Sequence, residues 1–333
     1  IVPNHMAFDG NNVWLQDIFE LGPESRYYNF FDVDWQYENR GKLMAPFLGN
    51  PLQEVLQKKE LQLGYSKRGF SVNYFDHNYA ASARSYSKIL STAGDGKWSE
   101  KFDKFSGEKE NWQELKEFFV REVEKTPELR KEINDLLKKV NASEENLNEI
   151  LDLQYFLPAH WKKTEEEINY RRFFTINDLI CLSVEKKEVY ESYHRFILQL
   201  CEGNLITGLR IDHIDGLFDP KGYLENLRES LGDDFYISIE KILEWDEKLP
   251  VHWPVQGTSG YGFLAAVNQV LTDGESEETF TRAYNKINPR NSEYANLVYK
   301  QKLFILKERM DGEYNNLWEL AQELELLDNK SKN

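Results

Sequence analysis

Apolar residues recur along this chain at two spacings, and the switch between them marks out its organisation. Trp112, Leu115, Phe118, Phe119 and Val123 fall at helical intervals, and Leu129, Ile133, Leu136, Leu137 and Val140 form a second stripe of the same kind. Thr126-Pro127-Glu128 gives the second helix an N-cap and a proline in its first turn. At the start, Ile1 to His5 reads as the end of a strand, Asp9-Gly10-Asn11-Asn12 as a turn, and Val13 to Leu21 as a short helix closed by Gly22-Pro23. Aromatic-rich runs from Leu61 to Tyr74, broken at Ser66-Lys67-Arg68-Gly69, predict a hairpin at the periphery.

The pattern changes after Tyr170. Leu205 to Asp212 (LITGLRID) and Phe235 to Glu240 (FYISIE) are short and rich in strand formers, and Asp219-Pro220 between them is a helix cap followed by a first-turn proline. A strand, helix, strand unit of this kind implies parallel neighbours joined by a right-handed crossover. Leu303, Leu306 and Met310, then Leu317, Leu320 and Leu324, predict further helices, and there is no internal repeat.

Composition narrows the function classes. The 333 residues carry 57 acidic against 41 basic side chains, a net charge of −16. That surface repels a polyanion, so a dedicated nucleic-acid binder is excluded. No apolar run approaches the ~20 residues that span a bilayer, so no membrane partner is expected. Cys181 and Cys201 cannot build a disulfide framework, and no Cys or His cluster at ligand spacing accompanies them. These point to a reducing, cytoplasmic setting and to no metal site. The opening residues have neither a charged stretch nor an apolar stretch of the signal-peptide kind, and are expected to begin inside a larger protein.

Strand alternation puts Arg210 and Asp212 on one face with Leu209 and Ile211 on the other, and repeats the arrangement with Tyr236, Ser238 and Glu240 against Ile237 and Ile239. Two carboxylates therefore stand at equivalent ends of neighbouring parallel strands, on the rim where α/β barrels build their sites. A cation keeping one acid charged while the other holds its proton is the apparatus of glycoside chemistry. The same residues also allow a plain reading: an Arg210–Asp212 ion pair beside a strand-end Glu240 paired with Lys241.

Longer motifs weigh between these. VPNH (Val2 to His5), GLRIDH (Gly208 to His213) and IEKIL (Ile239 to Leu243) resemble signature regions of the α-amylase family of glycoside hydrolases. NYRRFF (Asn169 to Phe174), GLRIDHIDGLFDP (Gly208 to Pro220), IEKILEWDEKLP (Ile239 to Pro250), GTSGYGFL (Gly257 to Leu264) and FLGNP (Phe47 to Pro51) are similar, more narrowly, to the maltooligosyl trehalose synthases within that family.

The resemblance implies an α/β fold, a (β/α)8 TIM barrel incomplete in this chain, with a mainly helical insertion. Residues 1–35 would be a barrel segment, 36–165 the insertion, 166–290 the barrel segment with the catalytic strands, and 291–333 a helical extension. It implies an isomerase that converts the reducing-end α-1,4 linkage of a maltooligosaccharide into an α,α-1,1 linkage by a retaining mechanism. Neither a metal nor a redox or nucleotide cofactor is called for. A hydrolase of α-1,4-glucan, or a catalytically inactive glucan-binding homologue, is the alternative.

By the resemblance Asp212 would be the nucleophile and Glu240 the general acid and base. Arg210 would hold Asp212 charged and oriented, Asn4 and His5 would line the cleft, and His213 would meet sugar hydroxyls. Lys241 and Tyr261 would serve the subsite of the terminal glucose. Gly262 stands where the family usually has Asp, and the family's third carboxylate is expected beyond Asn333. Among other residues, His77, His160, His194 and His252 are expected to be structural, and Arg171 and Arg172 to pair with acids of the insertion, the alternative being contact with a sugar. Trp14 and Trp253 are candidate sugar platforms, while Trp112 and Trp161 fit helix packing.

Overall fold

A computed structural model describes residues 1–37, 41–92, 96–104, 109–244, 246–288, 293–324 and 326. The expected boundary at 290/291, and Trp245 of the Ile239 to Pro250 motif, lie outside them. The chain is mixed α/β and divides into two compact units: Ile1–His5 with Leu182–Ile305, and Met6–Cys181 with Leu306–Asn333.

In the first unit, strands Gly208–Ile211, Tyr236–Ile239 and Gly257–Thr258 form a parallel sheet with Tyr236–Ile239 in the middle. The register sets Tyr236 beside Gly208 and Ile239 beside Ile211. Leu209, Ile211, Ile237 and Ile239 are buried, and the residues between them face outward or only partly inward. On the free edge, Ile1 N donates to the Arg210 carbonyl (2.6 Å) and Asp212 N to the Ile1 carbonyl (2.8 Å). That is parallel bonding at a single residue; the strand of this region is His5–Ala7, which begins where the reading of Ile1 to His5 has it end.

The crossover helix spans Pro220–Leu231, capped by Asp219, whose Oδ1 accepts from Gly222 N (2.9 Å). It buries Tyr223, Leu224 and Leu227, and Tyr223 meets the helix Lys187–Glu202 at His194. Arg228 ties the helix end to the sheet by donating to the carbonyls of Phe235 (2.7 Å) and Pro254 (2.7 Å). Helices Tyr261–Val270 and Glu277–Ile287 follow, and neither buries a residue.

The second unit opens, from Met6, with the strand end that leads to helix Val13–Leu21. Asp9 Oδ1 accepts from Asn11 N and Asn12 N, and Asn12 Oδ1 in turn caps the helix at Trp14 and Leu15. Strands Leu43–Leu48 and Phe156–His160 pair in parallel. The Leu61–Ser66 and Gly69–Tyr74 hairpin turns on Lys67-Arg68, with Gly69 at φ +96°. A Cβ there would lie 2.2 Å from the Tyr86 hydroxyl, which accepts from Phe70 N (3.0 Å).

This hairpin is not peripheral as expected. A third strand, His77–Ala80, joins it, and Leu61, Leu63, Phe70, Val72 and Tyr79 are buried. Helix Pro127–Asn141 packs on its outer strand, where Asn141 accepts from Leu63 N (2.8 Å) and donates to the Leu63 carbonyl (2.9 Å). An edge bonded in this way is an interior one.

Helix Lys109–Lys125 buries Trp112, Leu115, Phe119 and Val123, whereas Phe118 is 42% exposed. Positions 112, 115, 119 and 123 complete the inward stripe, so 118 falls on its flank and stacks its ring near Trp98. Thr126 stands at the cap of the next helix, but its side chain makes no capping bond. Helices Tyr294–Arg309, which runs from the first unit into the second, and Asp311–Glu323 lie where the leucine spacing places them. Leu306, Leu317 and Leu320 on them are nevertheless exposed.

Candidate active site

The register that pairs Ile239 with Ile211 carries on for one more step: Glu240 N donates to the Ile211 carbonyl (2.6 Å), so Glu240 follows its strand at the level of Asp212. Neighbouring strands run about 4.8 Å apart, which sets the scale of the separation between these two Cα atoms. Arg210, on the same open face as Asp212, pairs its Nη1 with Asp212 Oδ1. Glu240 Oε2 accepts from the backbone N–H of His213 (2.8 Å), so it bonds across to the neighbouring strand end and not to Lys241.

The backbone that follows this N–H is unusual. His213 lies at φ +53°, the left-handed region that a residue with a side chain seldom adopts. The turn after it is closed by Gly216 N donating to the His213 carbonyl (3.0 Å). A Cβ at Gly216 would lie 2.0 Å from the His213 ring, so any larger residue there would displace that ring.

Asn4 and His5 are buried beside this turn. Asn4 Nδ2 donates to the Gly216 carbonyl (3.2 Å), its own carbonyl accepts from Leu182 N (2.7 Å), and the His5 ring sits 6.0 Å from that of His213. The Tyr193 hydroxyl anchors the segment within hydrogen-bond distance of the Val2 (3.1 Å) and His5 (2.8 Å) carbonyls. Tyr193 was not anticipated. Its position on the helical pattern of Lys187–Glu202 marks it only as a partly buried aromatic.

The structure thus gathers Asn4, His5, Arg210, Asp212, His213 and Glu240 around one strand end. Lys241 lies next to them, but its ammonium bridges Asp215 Oδ1 (3.0 Å) and Glu247 Oε1 (2.9 Å). The hydrogen bond to Glu247 pushes the Lys241 ammonium above its usual range and holds the Glu247 carboxyl below its own. Asp215 and Glu247 were missed as well. In sequence they are two acids among 57, and only the turn at His213 brings the first within reach of Lys241.

Tyr261 opens its helix after Gly260 at φ +98°, with about a third of its surface free. Gly262 stands in open space: a Cβ there would meet no atom within 4 Å. Trp14 is half-buried and already engaged by other rings: Tyr27 stacks on it at 5.3 Å, and Phe30 meets it edge-on. Trp161 does not pack on a helix but begins a short 3-10 turn, 44% exposed. His194 is structural, with its ring nitrogens against the Tyr190 carbonyl (3.0 Å) and the Tyr223 hydroxyl (2.8 Å).

Several motif residues serve architecture within the second unit. Asn169 accepts from Met44 N (2.9 Å) and donates to the Lys42 carbonyl (2.8 Å). Buried Arg172 binds Glu313 (2.8 Å), Asn177 (2.6 Å) and the Arg309 carbonyl (3.2 Å), and Arg171 lies 3.9 Å from Asp32. Both arginines pair with acids, but these two, Asp32 and Glu313, lie outside segment 36–165, where the expected partners stand.

No family profile matches the chain. Over 291 residues it is 27% identical to a putative maltooligosyl trehalose synthase of Mycobacterium tuberculosis, an alignment that covers 84% of the chain and 28% of that protein. Among solved structures, the DSM5389 glycosyltrehalose synthase matches 97% of the chain at 31% identity and TM-score 0.75, with 37% of its own length covered. The maltooligosyltrehalose synthase of Arthrobacter ramosus matches 95% at 27% identity and TM-score 0.69, with 33% of its length covered. The chain spans about a third of the length of these relatives. The resemblance read from the motifs therefore holds: in sequence and in structure this chain is similar, along nearly its whole length, to the maltooligosyl trehalose synthases.

Proposed function

We propose that the protein carrying this chain isomerises the reducing-end α-1,4 linkage of maltooligosaccharides to α,α-1,1 by a retaining mechanism. In this reading the three parallel strands of the first unit are part of a (β/α)8 barrel, segment 36–165 is its insertion, and the site is the rim that holds Asp212 and Glu240. The observation that carries the proposal is the level placement of these two acids on adjoining parallel strands, in a chain similar to synthases of this activity. Retention calls for carboxyl groups about 5 to 5.5 Å apart, the scale that adjoining strands provide.

Asp212 attacks C1 of the sugar next to the reducing-end glucose, and the C1–O4 bond breaks as Glu240 gives its proton to O4. Glucose is freed while the glucan stays joined to Asp212. The anomeric hydroxyl of that glucose then attacks C1, Glu240 takes the hydroxyl proton, and Asp212 leaves, closing the 1,1 linkage. No atom is gained or lost. Arg210, paired with Asp212, orients the nucleophile, and Asn4, His5 and His213 lie where sugar hydroxyls would be bound. The two buried free cysteines are in keeping with a reducing, cytoplasmic setting.

Incubating the full-length protein with maltopentaose and separating the products tests this reading. A product of unchanged mass that has lost its reducing end is expected. Shorter reducing sugars alone would assign the site to hydrolysis, and unaltered substrate would leave a binding protein.

A further inference from the structure

We propose that Lys241 is a positioning residue, a tether between the segment after Glu240 and the turn after Asp212, and that this tether governs how often the covalent glycosyl intermediate is taken by glucose and how often by water. The inference rests on the isomerase reading and goes beyond it, assigning Lys241 to the partition between products and not to the binding of a sugar.

The first support is a closed circuit of links. His213 N–H donates to Glu240, Glu240 is bonded through the chain to Lys241, Lys241 Nζ donates to Asp215, and Asp215 returns through Ile214 to His213. Each link restrains the others. A movement of the Glu240 backbone away from His213 carries Lys241 with it, and a shift of the His213 turn strains the Lys241–Asp215 pair. Because His213 is held at φ +53°, relaxation of that turn toward ordinary backbone swings Ile214 and Asp215 away from the place where Lys241 meets Asp215.

The second support is the occupancy of the ammonium. Its side chain is 12% exposed while Asp215 is 57% exposed, so the acids stand outward and the cation lies beneath them. Three donors face Asp215 Oδ1 (3.0 Å), Asp215 Oδ2 (3.3 Å) and Glu247 Oε1 (2.9 Å), which engages the ammonium's hydrogen-bonding capacity. A sugar hydroxyl could reach it only by displacing a carboxylate.

The third is that Glu247 is itself fixed. Its Oε2 accepts from Glu244 N (3.1 Å), and its N–H donates to the Glu244 carbonyl (3.1 Å). Lys241 thus joins Asp215, which follows one acid-bearing strand, to Glu247, which follows the other. A tether of this kind holds the two acid-bearing strand ends in place during the interval in which freed glucose turns. If they loosen, water attacks C1 of the intermediate and gives its proton to Glu240 while the C1–Asp212 bond breaks, leaving a shortened reducing glucan beside free glucose.

The test uses the full-length protein with maltopentaose and measures free glucose formed per non-reducing product. K241M and D215N are each expected to raise that ratio by about fivefold or more, an effect of ordinary size for one positioning contact. K241R, which can still bridge two carboxylates, is expected to restore most of the wild-type ratio. Should K241M fail to fold, E247Q and D215N, which each remove a single arm, decide the matter. An unchanged ratio in folded variants overturns the tether while leaving the isomerase reading intact. A wild-type protein that forms no non-reducing product removes both.

Discussion

Two sheets of this molecule use the same alternation of side chains to different ends. Along Gly69–Tyr74 in the second unit, Phe70, Ser71 and Val72 are buried in succession, so both faces of the strand are covered. Along Gly208–Ile211 and Tyr236–Ile239 in the first unit, every second residue is buried and the residues between stay open, ending in Asp212 and Glu240. Where both faces are sealed, each residue is held by packing and its loss is felt as stability. An open face instead displays polar groups at fixed spacing, and their loss is felt as chemistry.

The sharpest way to break that contrast is at Asp212. Asp212→Asn keeps size and shape and removes the nucleophilic charge, so kcat/KM on maltopentaose is expected to fall by about 10³-fold or more, roughly 4 kcal/mol of transition-state stabilisation. The melting temperature should hardly move, because an ion pair open to solvent adds little to stability. A variant with full turnover, or one that loses activity only by unfolding, would return Arg210 and Asp212 to the role of a structural pair.

On the sealed side, Phe119 is fully buried against Trp98, Phe102 and Phe70. Phe119→Ala is expected to destabilise the second unit by about 3 to 5 kcal/mol, measured by denaturant unfolding, and to leave turnover per folded molecule unchanged. Losing activity without stability there would erase the distinction between the sheets.

A pH titration sharpens the comparison inside the first unit, where the helix layer behind the sheet holds a buried imidazole. Burial pushes the His194 pKa down to about 4, so the folded protein carries it neutral while the unfolded chain protonates it near 6.5. The unfolded state then binds more protons below pH 6.5. The contribution is whole above that pH and is lost as pH falls toward 4, by up to about 3 kcal/mol. His194→Gln should flatten that slope in denaturation midpoints measured from pH 7 to 4. An equal slope in the variant would mean that other groups dominate acid unfolding.

How much of this could be read beforehand differs along the chain for a physical reason. The crossover helix, its Asp219 cap and the alternation at Arg210, Asp212 and Glu240 are local properties, set by residues within one turn or one strand, and all were legible. The burial of the Leu61 to Tyr74 hairpin was not. It depends on the third strand and on Asn141, which lies 78 residues from its partner Leu63. The Lys241 bridge stayed hidden likewise. The alternation turns 241 away from 240, and nothing local announces that His213 adopts a left-handed backbone and swings Asp215 into reach.

The smallest expected effect tests the part where pattern and burial separate most. Helix Glu277–Ile287 has a helical spacing of apolar residues like that of Lys109–Lys125, yet Phe280 is 75% exposed where Phe119 is wholly enclosed. Periodicity states which residues share a face, and burial requires a second surface to meet it. Phe280→Ser removes apolar area that already lies in water, so the unfolding free energy should change by no more than about 0.5 kcal/mol. A ring that stays in water in both states contributes almost nothing to their difference. A loss approaching that of Phe119→Ala would mean that this face is covered in solution, and the helix would then belong with the sealed sheet and not with the open one.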